Sequence, residues 1–161
     1  MCYTITTTNL HKSMSPMDAE GKEQHIMIKV VIGVKGTGKT KTLIDAANAA
    51  LSASKGNVVC LEKGSKLRYD INYQVRLINT DDYGVTDGSA LSGFVAGILA
   101  SNSDVTDIFV DSALKIANND MAAFECFLEK LDKLTKGANI NVLITASMPV
   151  EDATEVIKKY L

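Results

Sequence analysis

Residues 33–40 read Gly33-Val34-Lys35-Gly36-Thr37-Gly38-Lys39-Thr40, a full match to the spacing G-x-x-x-x-G-K-[ST]. Each fixed position has a mechanical job. Gly33, Gly36 and Gly38 let the backbone take positive φ and turn its N–H groups inward, as a nest for anionic oxygens. Lys39 is placed to reach the terminal phosphates of a bound nucleotide, and the Thr40 hydroxyl is a hard oxygen ligand for Mg²⁺. A helix that opens here adds the positive end of its dipole beneath the anion.

The flanks agree with that reading. Upstream, Ile26-Met27-Ile28-Lys29-Val30-Val31-Ile32 is an apolar, β-branched run that predicts a strand buried on both faces. Downstream, Lys41 to Ser54 contains no Gly or Pro and sets Leu43, Ile44, Ala47, Ala50 and Leu51 on one helical stripe. Lys55-Gly56-Asn57 then supplies the stop.

With 161 residues and 46% hydrophobic content, the chain can bury one good core and is most economically a single domain. A net charge of -2 gives no support to a dedicated nucleic-acid binder. Cys2, Cys60 and Cys126 are far apart and form no C-x-x-C pair, which fits a reducing cytoplasm and gives no metal-site pattern. No stretch is apolar for long enough to span a bilayer. The expectation is a cytoplasmic protein without a membrane partner.

Residues 1–25 are polar and rich in Thr, Ser and Met, without periodicity, and read as a disordered leader. The compact domain is expected over residues 26–161. Within it, Asn57 to Glu62 reads as a second buried strand, and Tyr73 to Thr80 as a further strand near an edge. Thr86-Asp87-Gly88-Ser89 is a turn and N-cap for a helix over Ala90 to Ser101, with Leu91, Phe94, Val95, Ile98 and Leu99 on its core side. Gly93 and Gly97 on that helix predict close packing against a neighbour. Asp107 to Asp111 is the next strand, followed by a helix capped by Asn119 or Asp120, running to Lys136 and ended by Gly137. Ile140 to Ser147 is another apolar strand. Pro149 opens a short final helix, with Glu151 and Asp152 near its start and Lys158 and Lys159 near its end. Strands alternate with helices, which predicts a three-layer α/β/α sandwich around a mainly parallel sheet, with a nucleotide at the carboxyl ends of the strands.

A second motif lies about seventy residues beyond the loop. Thr106-Asp107-Ile108-Phe109-Val110-Asp111 ends an apolar strand in an acid, the Walker B pattern, and Asp111 is the candidate to hold Mg²⁺ together with Thr40. On these two motifs the chain resembles the P-loop NTPases over residues 26–161, and Gly36-Thr37-Gly38-Lys39-Thr40 is similar to the AAA+ and RecA-like branch. That resemblance implies a sheet in which the 140–147 strand lies between the loop strand and the 106–111 strand. It also implies that Thr145 or Ser147 occupies a position that senses the γ-phosphate. The cofactor-binding set is Gly33, Lys35, Gly36, Thr37, Gly38, Lys39, Thr40 and Lys41, with the Lys35 side chain facing solvent or a partner.

The sequence departs from the branch at two places. A Glu often follows the Walker B Asp there and polarises the attacking water; here the residue is Ser112, whose hydroxyl is no strong general base at neutral pH. Glu62, closing the second strand, matches another place from which RecA-like proteins supply that acid. Two readings stay open, catalytic Glu62 and a strand-end surface acid. Arginine is the other departure, since the chain has only Arg68 and Arg76, outside the motifs; Arg68 is the candidate to reach into a neighbouring subunit. No helical lid follows the core within this sequence.

The leading expectation is therefore binding of Mg-ATP and its slow hydrolysis, with Lys39 and Glu62 as the catalytic pair. A homo-oligomer or a regulatory protein partner would complete the site. ATP is favoured over GTP because no N-K-x-D motif occurs. The alternatives are a nucleotide-dependent switch without useful catalysis, and a small-molecule kinase or transferase. The latter would require a pocket with an acceptor-activating acid and clamping arginines.

Overall fold

The structure, a computed structural model, describes residues 27–161. The leader expected over residues 1–25 lies outside the described residues. Five strands form one sheet: β1 (Ile28–Gly33), β2 (Asn57–Glu62), β3 (Arg76–Asn79), β4 (Val105–Val110) and β5 (Asn141–Ser147). All pairings are parallel and the order is β1-β5-β4-β2-β3. β5 thus lies between the loop strand and β4, as the sequence resemblance implies, and β3 is an edge strand. Five helices accompany the sheet: α1 (Lys39–Ala53), α2 (Gly88–Ser101), α3 (Ala113–Ile116), α4 (Met121–Thr135) and α5 (Glu155–Lys158).

Two apolar clusters, one on each face, make the three layers. On one face α1 contributes Leu43 and Ala47, which meet Val58, Cys60 and Phe109 of the sheet and Leu67, Ile71 and Val75 of the segment before β3. On the other, Leu91 and Val95 of α2 and Phe124, Phe127, Leu128 and Leu131 of α4 pack on Val59, Leu61, Ile108, Val110, Val142 and Ile144. The period-2 alternation of the central strands fills both clusters at once, as two-sided burial requires. The same alternation puts Glu62, Asp111 and Thr145 on the α1 face, in line with Cys60 and Phe109.

The structure corrects three sequence expectations and adds one element. β1 is not buried on both faces: among the described residues its one strand partner is β5, Lys29 is exposed, and Val31 and Ile32 are half-buried, because α1 lies chiefly over β5 and β2. The outer edge of β1 is met by the C-terminal segment, where Val30 N donates to Tyr160 O at 2.7 Å. Gly93 and Gly97 are exposed, and a methyl group at either would meet nothing within 4 Å. The close approach falls at Gly88 instead, where an added Cβ would lie 2.6 Å from Ala123 O of α4.

The final helix is two pieces, a 3₁₀ turn at Val150–Asp152 and α5, since Ala153 is buried in extended conformation and Thr154 starts a new helix as its N-cap. α3 has no counterpart in the sequence reading. It begins at Ser112 (φ 56°) and ends at Asn118 and Asn119 (φ 59° and 57°), all left-handed, a conformation asparagine tolerates better than most residues.

Candidate functional site

The carboxyl ends of β1, β2, β4 and β5 converge on the start of α1. Gly36 (φ 86°) and Gly38 (φ 83°) are left-handed, and Gly38 is the residue from which α1 departs. Gly33 is needed for a different reason: an added Cβ would stand 2.7 Å from Thr37 Oγ1. That hydroxyl donates to Val34 O at 2.9 Å, closing the loop. Lys39 is 8% exposed, and its Nζ donates to Val34 O at 2.8 Å and to Thr37 Oγ1 at 3.4 Å. The ammonium is thus held across the loop rather than extended into solvent. Lys35 is exposed. Lys41 pairs with Asp45 at 3.1 Å on the outer face of α1, so its contribution to the loop rests on its backbone N–H.

Asp111 is the centre of the polar network. It is 9% exposed, and three hydroxyls surround its carboxylate. Thr40 Oγ1 donates to Oδ1 at 3.1 Å, Thr145 Oγ1 donates to the same oxygen at 2.8 Å, and Ser112 Oγ donates to Oδ2 at 2.9 Å. Thr145 in turn accepts from Ser112 N at 2.8 Å. Thr40 and Asp111, 71 residues apart, therefore share one point in space. Thr145 joins them because β5 is inserted between β1 and β4. Ser147 instead faces solvent at the rim, in register with Gly33.

Glu62 ends β2 at the same edge and is only 2% exposed. Its Oε2 accepts from Lys66 N at 2.8 Å and Leu67 N at 3.0 Å, so the carboxylate folds the following turn back onto the strand. Burial pushes its pKa up, the two amide hydrogen bonds oppose this, and the negative charge of Asp111 raises it further. Cys60 stands two residues before Glu62 on the same face of β2, in register with Phe109; burial first, then Asp111 and Glu62, push its thiol well above the ordinary range, so it stays protonated.

Of the two readings of Glu62, the strand-end surface acid does not fit its burial, and its contacts are those of a cap on the following turn. Neither that capping nor the Ser112 hydroxyl as a partner of Asp111 is legible in the sequence, because such short-range side-chain bonds leave no periodic trace.

The donor set suits a hard cation. Thr40 and Asp111 offer one hydroxyl and one carboxylate, the sparse protein ligation that Mg²⁺ accepts when phosphate and water supply the remainder. Among the described residues no three His, Cys, Asp or Glu side chains gather into a self-sufficient metal cage.

No family model matches the chain, and no curated protein matches it. Among solved structures it is similar to that of C. elegans PCH-2, with a TM-score of 0.50 and 14% identity over 85% of this chain and 34% of that one. The chain spans about a third of that protein's length. At this identity the likeness bears on the fold alone, which is an α/β fold with an all-parallel sheet. Among the described residues no helix is long and apolar enough to cross a membrane.

Proposed function

We propose that residues 26–161 form a cytoplasmic nucleotide-binding domain that takes Mg-ATP at the loop Gly33–Thr40 and hydrolyses it slowly, or faster when a partner or a second copy completes the site. The observation that carries this reading is the Thr40–Asp111 contact at 3.1 Å. It brings together the hydroxyl and the carboxylate that the two sequence motifs nominate separately. In this reading the loop amides and Lys39 bind the phosphates, with Lys39 leaving Val34 O to meet them. Thr40 and Asp111 hold Mg²⁺, which when bound offsets the charge of the β- and γ-phosphates. Thr145 and Ser112 keep the Asp111 carboxylate oriented toward Thr40.

Slow turnover follows from the acids available. Ser112 stands where a water-polarising acid would be useful, and Glu62 is committed through Oε2 to two backbone amides. That commitment also favours a second reading, a nucleotide-dependent switch whose hydrolysis has no role beyond resetting it.

The deciding experiment is Mg-ATP binding and single-turnover hydrolysis on the parent and Lys39→Ala proteins together. Binding and turnover that vanish in the variant support an ATPase. Tight, Lys39-dependent binding without turnover favours the switch. ATP binding that is unchanged by the substitution removes the loop from the function altogether.

A further inference from the structure

All basic residues of the described chain are lysines except Arg68 and Arg76. These two are eight positions apart, on the turn before β3 and on β3 itself, yet they line one cavity of about 560 Å³. Its volume is within the range of about 300–1,000 Å³ typical of small-molecule sites. The cavity opens at the sheet edge beyond Glu62, and Asn72, Gln74 and Asn79 add neutral polar groups to its wall. Among the described residues neither guanidinium makes a hydrogen bond or ion pair, whereas the neighbouring Lys63 is paired with Asp81 at 2.9 Å. Tyr73, 91% exposed, stands at the rim with an unpacked ring.

We infer that this cavity is a second ligand site, for a small organic phosphate bearing hydroxyl groups. A guanidinium presents a planar fork of donors that matches phosphate oxygens, and two lining one cavity suit a dianion better than a single carboxylate. Asp82, which also lines the cavity, supplies an acceptor for hydroxyls of the ligand body, and the Tyr73 ring offers it a flat apolar face. The lining contains no residue of the glycine loop; Glu62 alone is common to this cavity and to the nucleotide site. The ligand is recognised by residues from 68–82, a segment that the two sequence motifs leave unused.

The test is a residue-resolved amide NMR titration of the full chain with phenyl phosphate, at constant ionic strength set by chloride, with benzoate as a monoanionic comparison. Saturable shifts centred on Arg68, Asn72, Tyr73 and Arg76 are expected, weaker with benzoate. In Arg68→Gln/Arg76→Gln these shifts should need at least roughly tenfold more ligand, the equivalent of losing a charge-assisted pair, while any shifts at residues 33–40 persist. Shifts confined to residues 33–40, shifts that never saturate, or equal titration of the double variant would overturn the inference. If benzoate binds as tightly as phenyl phosphate, the phosphate preference is wrong. If the double variant does not fold, Arg76→Gln alone, on the exposed edge strand, carries the same comparison.

Discussion

The Thr40 hydroxyl donates to Asp111 Oδ1 at 3.1 Å, which joins the start of α1 to the end of β4 through side chains. A shared cation would use both oxygens. Thr40→Ala should therefore cost the Mg²⁺-dependent part of ATP affinity, roughly 10-fold or more if the hydroxyl is worth what a hydrogen bond to a charged group is worth. Thr40→Ser should retain it. Affinity measured with Mg²⁺ and with EDTA separates the metal's part from that of the loop. An equal Mg²⁺ increment in parent and Thr40→Ala would remove Thr40 from the ligand set.

Glu62 has two separable jobs, and two substitutions separate them. Glu62→Ala removes the acceptor for Lys66 N and Leu67 N and should destabilise the fold by about 1–3 kcal/mol, the cost of unpaired buried donors. Glu62→Gln keeps an acceptor oxygen and should fold with nearly the parent stability. If the carboxylate also orients the attacking water, Glu62→Gln will bind ATP normally and hydrolyse it roughly 10²-fold more slowly. Parent-rate hydrolysis in Glu62→Gln would leave Glu62 a structural acid.

The raised pKa of Glu62 makes a pH signature. Its folded value lies above the 4.5 of the unfolded chain, so within that window the folded state holds more protons than the unfolded one. Stability contributed by the protonated carboxyl is full below pH 4.5, falls as pH rises toward the folded value, and is flat above it. Glu62→Gln lacks this titration. Melting temperatures of the two proteins from pH 4 to pH 7.5 should show the parent losing ground to the variant as pH increases above about 4.5. A difference that is constant, or that moves the other way, contradicts the raised pKa.

What the sequence disclosed and what it hid divide along a physical line. The loop glycines, the burial of β2, β4 and β5, and the Asp87 cap follow from local rules, and each is where those rules put it, while of Asn119 and Asp120 the cap is Asp120. The edge position of β1 did not follow, because Val30, Val31 and Ile32 satisfy a central strand as well as an edge one; which neighbours arrive is decided by other parts of the chain. The packing of Gly88 rather than Gly93 or Gly97 is of the same kind, being set by where α4 crosses α2. The site was legible as two motifs. The Thr145 and Ser112 donors to Asp111 depended on strand order and on a left-handed turn, which no periodicity encodes.

Gly93 and Gly97 make a stability prediction opposite to the one their spacing suggests. Both are inside α2, exposed, with open space where a Cβ would stand and no positive φ. Alanine there should stabilise the helix by about 0.5–1 kcal/mol at each position. Thermal unfolding of Gly93→Ala/Gly97→Ala should show a higher melting temperature. A lower one would mean that a partner packs closely on this face, and sedimentation of parent and variant would then reveal a lost assembly.

Thr145 links the two halves of the Asp111 network, since its hydroxyl donates to Asp111 Oδ1 and accepts from Ser112 N. Valine has nearly the same shape but offers neither bond. Thr145→Val would leave the Ser112 amide unpaired at a residue already in a left-handed conformation, and would remove one of the three donors that fix the carboxylate. About 1–3 kcal/mol of stability should be lost, and Asp111 should be freer to turn away from Thr40. Mg²⁺-dependent ATP affinity should then fall in Thr145→Val, although the side chain itself is no metal ligand in this reading, while Thr145→Ser restores both quantities. Loss of stability alone, with the Mg²⁺ increment intact, would show that Ser112 and Thr40 suffice to orient Asp111 and that the role of Thr145 ends at the backbone.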